Sequence, residues 1–320
     1  MRPTPEAIPC FPARAPTPSM RNITAKPETL RTASAAATLR LPRACVKLLR
    51  EKRVEKGDAL EIARAAAILA AKRTWELLPL CHQLPLTAVD VSYELGAAQV
   101  NIRTHVETIS GTGVEMEALT AASIAALTIY DLLKPHAGTD MSITDVRLLE
   151  KTGGKSQYAR RVSPPARAVI LAPADAVIAG RKRATAAQTV RDGLVSAGFR
   201  ILALEVMPQG PAPLARRLLH WLRKSPALIV TVGGTGLYPG DHTVEAVRPL
   251  LDKELPGFME AARAYGQRRT PYSLISAGIA GMAGRTLIIT FPGSTRGAQE
   301  TLTALLPGLV HAIEGLRHSP

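Results

Sequence analysis

Residues 111–134 read GTGVEMEALTAASIAALTIYDLLK. From Met116 to Leu133 this run has no Gly or Pro and almost no charge before Asp131. That composition predicts a long helix over 116–133, buried on most faces. Working outward, 89–95 and 99–109 carry β-branched residues and read as a strand pair. Upstream, 58–78 is rich in Ala, Leu and Ile, lacks Gly and Pro, and stops at Pro79, so it reads as a helix with Asp58 as its cap. Downstream, 142–149 reads as a strand. Helices and strands here do not alternate regularly, and helices packed on one face of an antiparallel sheet are the α+β expectation.

The second half alternates. Strand-like runs fall at 169–171, 200–206, 227–232 and 286–290, with helical runs at 189–197, 213–223, 243–251 and 295–315. This order predicts an α/β three-layer domain: a mostly parallel sheet with helices on both faces and ligands beyond the carboxyl ends of its strands. Between the halves, residues 153–167 read GGKSQYARRVSPPAR, which places a boundary near 160. The first twenty residues contain Pro3, Pro5, Pro9, Pro12, Pro16 and Pro18 and no apolar h-region, so they read as a disordered leader and not a signal peptide. The expected organisation is a leader over 1–19, a first domain over 20–158, a linker over 159–167 and a second domain over 168–320.

The 320 residues are 46% hydrophobic, which excludes a fully disordered chain. No window reaches 18 apolar residues free of charge, so no transmembrane helix is expected. Cys10, Cys45 and Cys81 are widely spaced, which disfavours disulfides and a cysteine zinc site and fits a reducing cytoplasm. A net charge of +14 points to a polyanionic partner. The candidates are nucleic acid, a membrane surface or a phosphorylated small molecule, and aromatics at 4% with dispersed basic residues make nucleic acid the unfavoured one.

Four polar groups interrupt the apolar sequence of the first half: Lys56-Gly57-Asp58, Leu80-Cys81-His82, Thr112 to Glu117, and Asp131 with Lys134. Each alone has a bland reading, since glutamates at a helix start and a lysine at its end favour the dipole. Together they supply proton donors and acceptors of different pKa. Lysine becomes a useful acid or base when desolvation or another cation lowers its pKa.

The stretches KGDALEIARAAAILAAKRTWELLPLCHQLPLT, GTGVEMEALTAASIAALTIYDLLK and DVRLLEKTGGKS resemble the MoaC family, the cyclic pyranopterin monophosphate synthases of molybdenum cofactor biosynthesis, over residues 20–158. The resemblance implies a ferredoxin-like fold with sites at subunit interfaces of a hexamer, a trimer of dimers. It implies conversion of a 3′,8-cyclised dihydroguanosine triphosphate to cyclic pyranopterin monophosphate and pyrophosphate, with no cofactor required. Carried over by motif, the catalytic lysines fall on Lys56 and Lys134 and the active-site aspartate on Asp131. Substrate contacts fall on Leu80, Cys81, His82, Met116 and Glu117, with Glu115 and Arg31 at two further family positions. On this reading Lys56 and Lys134 move protons, Asp131 and Glu117 orient and activate, and Cys81 and His82 hold the substrate. The family's Asp in an early strand is Asn22 here.

In the second half, Gly233-Gly234-Thr235-Gly236 follows an apolar strand, and Pro292-Gly293-Ser294 follows another. Such glycine loops aim backbone N–H groups at anions, or simply make tight turns. Asp241 could bind a metal or cap the helix near Thr243. GGTGLYPGD, ELPGFMEAAR (with Glu254, Glu260 and Arg263) and LIITFPGST resemble the MoaB/MogA family over 168–315. That resemblance implies binding of molybdopterin and Mg-ATP, with AMP transferred to the pterin phosphate. Asp175, Gly180 and Asp241 keep the pattern. Ala184, Gln209 and Ala277 stand where the family has polar ligand-binding residues or an arginine. The expectation is therefore a cytoplasmic two-domain enzyme with no metal assigned. Its second half is either an adenylyltransferase or a non-catalytic pterin-binding or oligomerisation module. A pterin-binding scaffold without turnover is the remaining alternative for the whole chain. Glu205 is the carboxylate that could fill the gap left at Gln209.

Overall fold

The computed structural model describes residues 18–158 and 161–318. The proline-rich residues 1–17 and residues 159–160 of the expected linker lie outside the described residues. The chain divides into two compact units, with the main break between Thr152 and Gly153 and the short segment Ala25–Pro27 assigned to the second.

The first unit runs β1 (Thr29–Arg40), α1 (Arg43–Arg50), α2 (Ala59–Lys72), α3 (Thr74–Leu77), β2 (Leu86–Leu95), β3 (Gln99–Ser110), α4 (Glu115–Ala137) and β4 (Ser142–Thr152). The sheet order is β2-β3-β1-β4, with every neighbour pair antiparallel. This is the ferredoxin-like βαββαβ arrangement that was expected. Ala33, Ala35, Ala37 and Leu39 of β1, with Val100, Ile102 and Val106 of β3, form one buried face against the helices. Their small side chains let α4 approach closely. Ala118, Ala121, Ala122, Ala125 and Ala126 are fully buried, and Thr104 Oγ1 donates to the Ala118 carbonyl at 2.8 Å.

Several sequence readings are corrected. The helix expected over 58–78 breaks at Arg73, and its continuation is the separate short α3. Helix α4 passes Leu133 and runs through Pro135 to Ala137. Asn22 lies in no strand; it precedes the turn at Thr24 and Ala25, and its Oδ1 accepts from Thr24 N. Helix α4 is, against expectation, apolar and long enough by composition to cross a membrane, with a mean hydropathy of 1.4. Its alanine face is the core of this unit, and that accounts for its hydropathy.

Asp58 caps α2, accepting from Leu60 N and Glu61 N, and pairs with Lys52 at 2.9 Å. The hydrogen bond and charge of Lys52 hold the Asp58 carboxyl below its ordinary value. Asp58→Ala is expected to cost about 1 kcal/mol, read as a shift in the urea midpoint at unchanged slope. Because the folded carboxyl titrates low, this contribution is present above the ordinary aspartate pKa and is lost as pH falls through the lowered value.

The second unit runs α5 (Lys155–Tyr158), β5 (Ala166–Pro173), α6 (Asp175–Ile178), α7 (Thr185–Ser196), β6 (Phe199–Met207), α8 (Pro211–Leu222), β7 (Leu228–Val232), α9 (Thr243–Val247), β8 (Lys253–Glu254), α10 (Pro256–Gln267), β9 (Ala280–Ala283), β10 (Thr286–Phe291) and α11 (Thr295–His318). The order β6-β5-β7-β10-β9-β8 is parallel through its first four strands and antiparallel at the β9 and β8 edge. Alternate residues of β5 face opposite layers. Ala168 and Ile170 pack with α7 and α11, while Val169 and Leu171 pack with α8 and α9. The three-layer expectation therefore holds. The helix at α10 had no counterpart in the sequence reading, and the helix expected over 243–251 is α9 followed by a 3₁₀ turn over Arg248–Leu250.

Candidate functional site

In the first unit the sequence-derived residues gather at the two ends of α4. At the C-terminal end, Lys134 Nζ lies 2.6 Å from Asp131 Oδ1, and Lys56 Nζ lies 4.0 Å from Asp131 Oδ2. The i, i+3 spacing puts Asp131 and Lys134 on one helical face. Lys56 arrives on the loop before α2, where Gly57 turns the chain at φ +109°. Lys134 holds the Asp131 carboxyl below its usual range, and Asp131 pushes the Lys134 ammonium up. The expectation that a second cation lowers a lysine pKa is therefore not met within one copy. Asp131 wins because it bonds Lys134 directly.

At the N-terminal end, Leu80, Cys81, His82, Gly113, Glu115 and Met116 line a cleft of about 480 Å³. His82 Nε2 donates to the Arg21 carbonyl at 2.8 Å. Glu115 Oε1 accepts from Lys151 Nζ at 2.9 Å. Burial works against ionisation of Glu115, but the Lys151 hydrogen bond and charge, with Arg31 behind them, hold its carboxyl below the ordinary value. Arg31 is itself buried, and its Nε donates to the Ser110 carbonyl at 3.1 Å. Glu117 is 3% exposed and accepts from Cys81 Sγ at 3.7 Å. Burial pushes the Glu117 carboxyl up, and the nearby Glu115 adds to that. Two carboxyls two residues apart thus sit in opposite electrostatic environments.

The two groups do not meet within one copy. Fourteen residues separate Glu117 from Asp131 on an unbroken helix, about 21 Å of axis at about 1.5 Å per residue. Glu117 therefore cannot orient Lys134 of its own chain. Sequence reasoning also missed Lys151 as the partner of Glu115 and Gly113 as the floor beneath it. A Cβ at Gly113 would come 2.1 Å from Glu115 Oε2. Lys151 lies inside a motif already quoted, but only the β4 register shows where it points.

In the second unit the glycine loops meet at the carboxyl ends of β7 and β10. A Cβ on Gly293 would lie 3.2 Å from the Gly233 Cα. Gly233 and Gly234 have φ of +107° and +66°, and a Cβ on Gly234 would come 2.4 Å from Thr243 Oγ1. Gly234→Ala is expected to cost about 1–3 kcal/mol, by strain and by displacing Thr243, read as a fall in the urea midpoint. Thr235 is buried, and its carbonyl accepts from Ala277 N at 2.9 Å. Asp241 does not cap α9. Its Oδ2 accepts from Tyr238 N at 3.1 Å and lies over Gly236.

Pro292 and Ser294 line a cavity of about 270 Å³ with Arg263, Ser273, Ser276 and Arg296. Gly233, Gly234, Gly236 and Asp241 form the neighbouring loop outside that cavity. Glu260 is exposed on α10 and does not line it. Ser273, Ser276 and Arg296 went unassigned in the sequence because only the fold of 271–297 collects them. Residues 153–320 carry 21 Lys and Arg against 10 Asp and Glu, so most of the positive charge belongs to this unit and favours an anionic ligand. Glu205 does not fill the gap at Gln209. Arg217 takes both its oxygens, at 2.7 and 2.5 Å, and Trp221 Nε1 donates to it as well. The carboxylate beside Gln209 is Asp175, whose Oδ1 accepts from Gln209 N at 2.9 Å.

Residues 20–154 match the MoaC family, and residues 169–311 match the family described as "Probable molybdopterin binding domain". The chain is 39% identical over 298 residues to the molybdenum cofactor biosynthesis bifunctional protein of Chlorobaculum tepidum, covering 93% of this chain and 94% of that one. It is 49% identical over 150 residues to the cyclic pyranopterin monophosphate synthase of Thermomicrobium roseum, covering 46% of this chain and 90% of that one. A solved structure of the molybdopterin biosynthesis enzyme MoaB from Thermus thermophilus is 42% identical, covers 48% of this chain and 98% of its own, and superposes with a TM-score of 0.46.

Proposed function

The chain belongs to the bifunctional molybdenum cofactor biosynthesis proteins, and on that premise we propose that its first unit makes cyclic pyranopterin monophosphate at a site shared by two copies. The substrate is the 3′,8-cyclised dihydroguanosine triphosphate, and pyrophosphate leaves. The observation that carries the shared site is the separation of about 21 Å along α4 between the cleft at one end and the Lys56–Asp131–Lys134 group at the other. Between them α4 keeps an open stripe, with Met116 and Leu127 exposed and Ser123 half-buried. Laying α4 against a second copy head to tail across a twofold axis would bring each cleft to the other copy's lysines, making two complete sites.

In that site the cleft would hold the ring system, with Glu115 kept anionic by Lys151. Lys134, held protonated by Asp131, is suited to give a proton to a leaving oxygen, and Lys56 and Lys134 together offset the charge of the departing pyrophosphate. Purified protein incubated with the cyclised triphosphate should yield the cyclic monophosphate and pyrophosphate. Light scattering should give an even multiple of the chain mass, and a monomeric mass would remove the shared site. Cys45 and Cys81 are free thiols, which supports a reducing, cytoplasmic setting.

The second unit we read as the molybdopterin-binding half. The glycine loops offer backbone N–H groups, and Arg263 and Arg296 offer cations for the pterin phosphate. Transfer of AMP would require Mg-ATP. Mg²⁺ is held by one or two carboxylates plus substrate phosphates, and Asp175 and Asp241 are the carboxylates we would assign to that role. Molybdopterin with ATP labelled at the α-phosphate tests this directly. Label on the pterin means adenylyl transfer; pterin bound without label means a binding module.

A further inference from the structure

Glu117 lies behind the cleft, and Cys81 lies between them. The Cys81 thiol is on the cleft wall, while Glu117 is buried and is not part of that wall. Cys81 Sγ donates its one proton inward to Glu117 Oε1, and the sulfur accepts from the His82 backbone N–H. Glu117 Oε2 is buried with no partner. Among the described residues no cation is paired with Glu117. Lys151 is engaged by Glu115, and the His82 ring by the Arg21 carbonyl.

We infer that Glu117 is a positioning residue that turns the Cys81 S–H away from the cleft, so that Cys81 meets the substrate as a hydrogen-bond acceptor for an N–H edge and not as a nucleophile. This rests on reading the cleft as the substrate site. A thiol carries one hydrogen, and once it is donated inward only sulfur lone pairs face the cleft. A guanine-derived ring presents N–H groups on its edge, which is the complementary chemistry. The same packing suppresses the thiolate. Burial first, and then the charge and hydrogen bond of Glu117, push the Cys81 thiol up to about 11, with Glu115 adding to the effect and the His82 N–H opposing it. The thiolate is the reactive form, so this Cys81 is chemically quiet.

Linkage gives a second consequence with a definite sign. The Glu117 carboxyl is raised on folding, so between its ordinary and its raised value the folded chain binds more protons than the unfolded one. Its contribution to stability is therefore present at low pH and is lost as pH rises through the raised value. The charged group acting on it is Glu115 on α4, which is itself paired with Lys151 on β4 and feels Arg31 on β1.

The test uses the full-length protein and iodoacetamide, with alkylation read by mass spectrometry on the Cys81 peptide. Wild-type Cys81 should react slowly at neutral pH. Glu117→Ala should react about tenfold faster, and Glu117→Gln, whose amide oxygen still accepts the S–H but carries no charge, should fall between them. With the cyclised triphosphate, Glu117→Ala should raise KM far more than it lowers kcat, and Cys81→Ser should keep a lower KM than Cys81→Ala. Glu117→Gln should also flatten the fall in stability with rising pH. Equal alkylation rates across the three Glu117 proteins would overturn the inference, as would wild-type Cys81 reacting as fast as in urea-unfolded chain. If Glu117→Ala does not fold, the Glu117→Gln comparison decides. The alkylation arm needs no turnover, so it stands or falls apart from the assigned reaction.

Discussion

Lys134→Ala is expected to lower kcat for cyclic pyranopterin monophosphate formation by about 10²–10⁴-fold, the usual range for losing a positioned proton donor. The ammonium lies 2.6 Å from Asp131 and is pushed up by it, so it stays protonated through neutral pH. Lys134→Arg separates its two roles. Arginine keeps the positive charge for a phosphate but does not release its proton, so KM should stay near wild type while kcat falls nearly as far as in Lys134→Ala. Asp131→Asn removes the group that keeps Lys134 charged, and its alkaline limb should move to lower pH. Steady-state rates across pH check all three. Full activity in Lys134→Ala would remove Lys134 from the chemistry.

Two impaired chains should restore each other. Glu117→Ala damages the cleft at one end of α4, and Lys134→Ala damages the group at the other, about 21 Å away on the same helix. If each site takes its cleft from one copy and its lysines from the next, a mixed dimer holds one site with both lesions and one with neither. With random pairing about half the dimers are mixed, so about a quarter of all sites are intact. Assayed with substrate near the wild-type KM, far below that of Glu117→Ala, co-refolded or co-expressed variants should therefore recover about a quarter of the wild-type rate, against near zero for either alone. No recovery in a mixture whose hetero-oligomer is confirmed by native mass spectrometry would place the whole site in one chain, contrary to the geometry of α4.

Much of the architecture was legible in the residues. The apolar run of α4, the capping Asp58 and the β-α alternation after residue 166 report local rules of period and propensity, and those rules held. Strand β1 was not read, although it is central to its sheet. Its TASAAATLR carries alanines where a central strand more often shows Val or Ile, and it becomes a strand because small side chains let α4 pack against it. The break at Arg73 and the continuation of α4 through Pro135 are likewise packing outcomes that override local preference.

The chemistry-bearing residues were legible as types and motifs, because catalysis and anion binding need particular groups at particular spacings. Which of them meet is a property of the tertiary structure alone. Asp131 and Lys134 are neighbours by helical spacing, so sequence sufficed there. Lys56 joins them, and Lys151 rather than another cation takes Glu115, only through contacts between elements far apart in the chain. Glu205 was as good a candidate as any for the place left at Gln209 until its neighbours Arg217 and Trp221 were seen to take its oxygens. The sequence by itself determined the fold of each half and the inventory of acids, bases and glycine loops, because these follow from local periodicity and residue chemistry. The tertiary structure decided that Glu117 stands behind Cys81 and that Lys56 joins Asp131 and Lys134, because burial and long-range contact belong to the packed chain and not to its order.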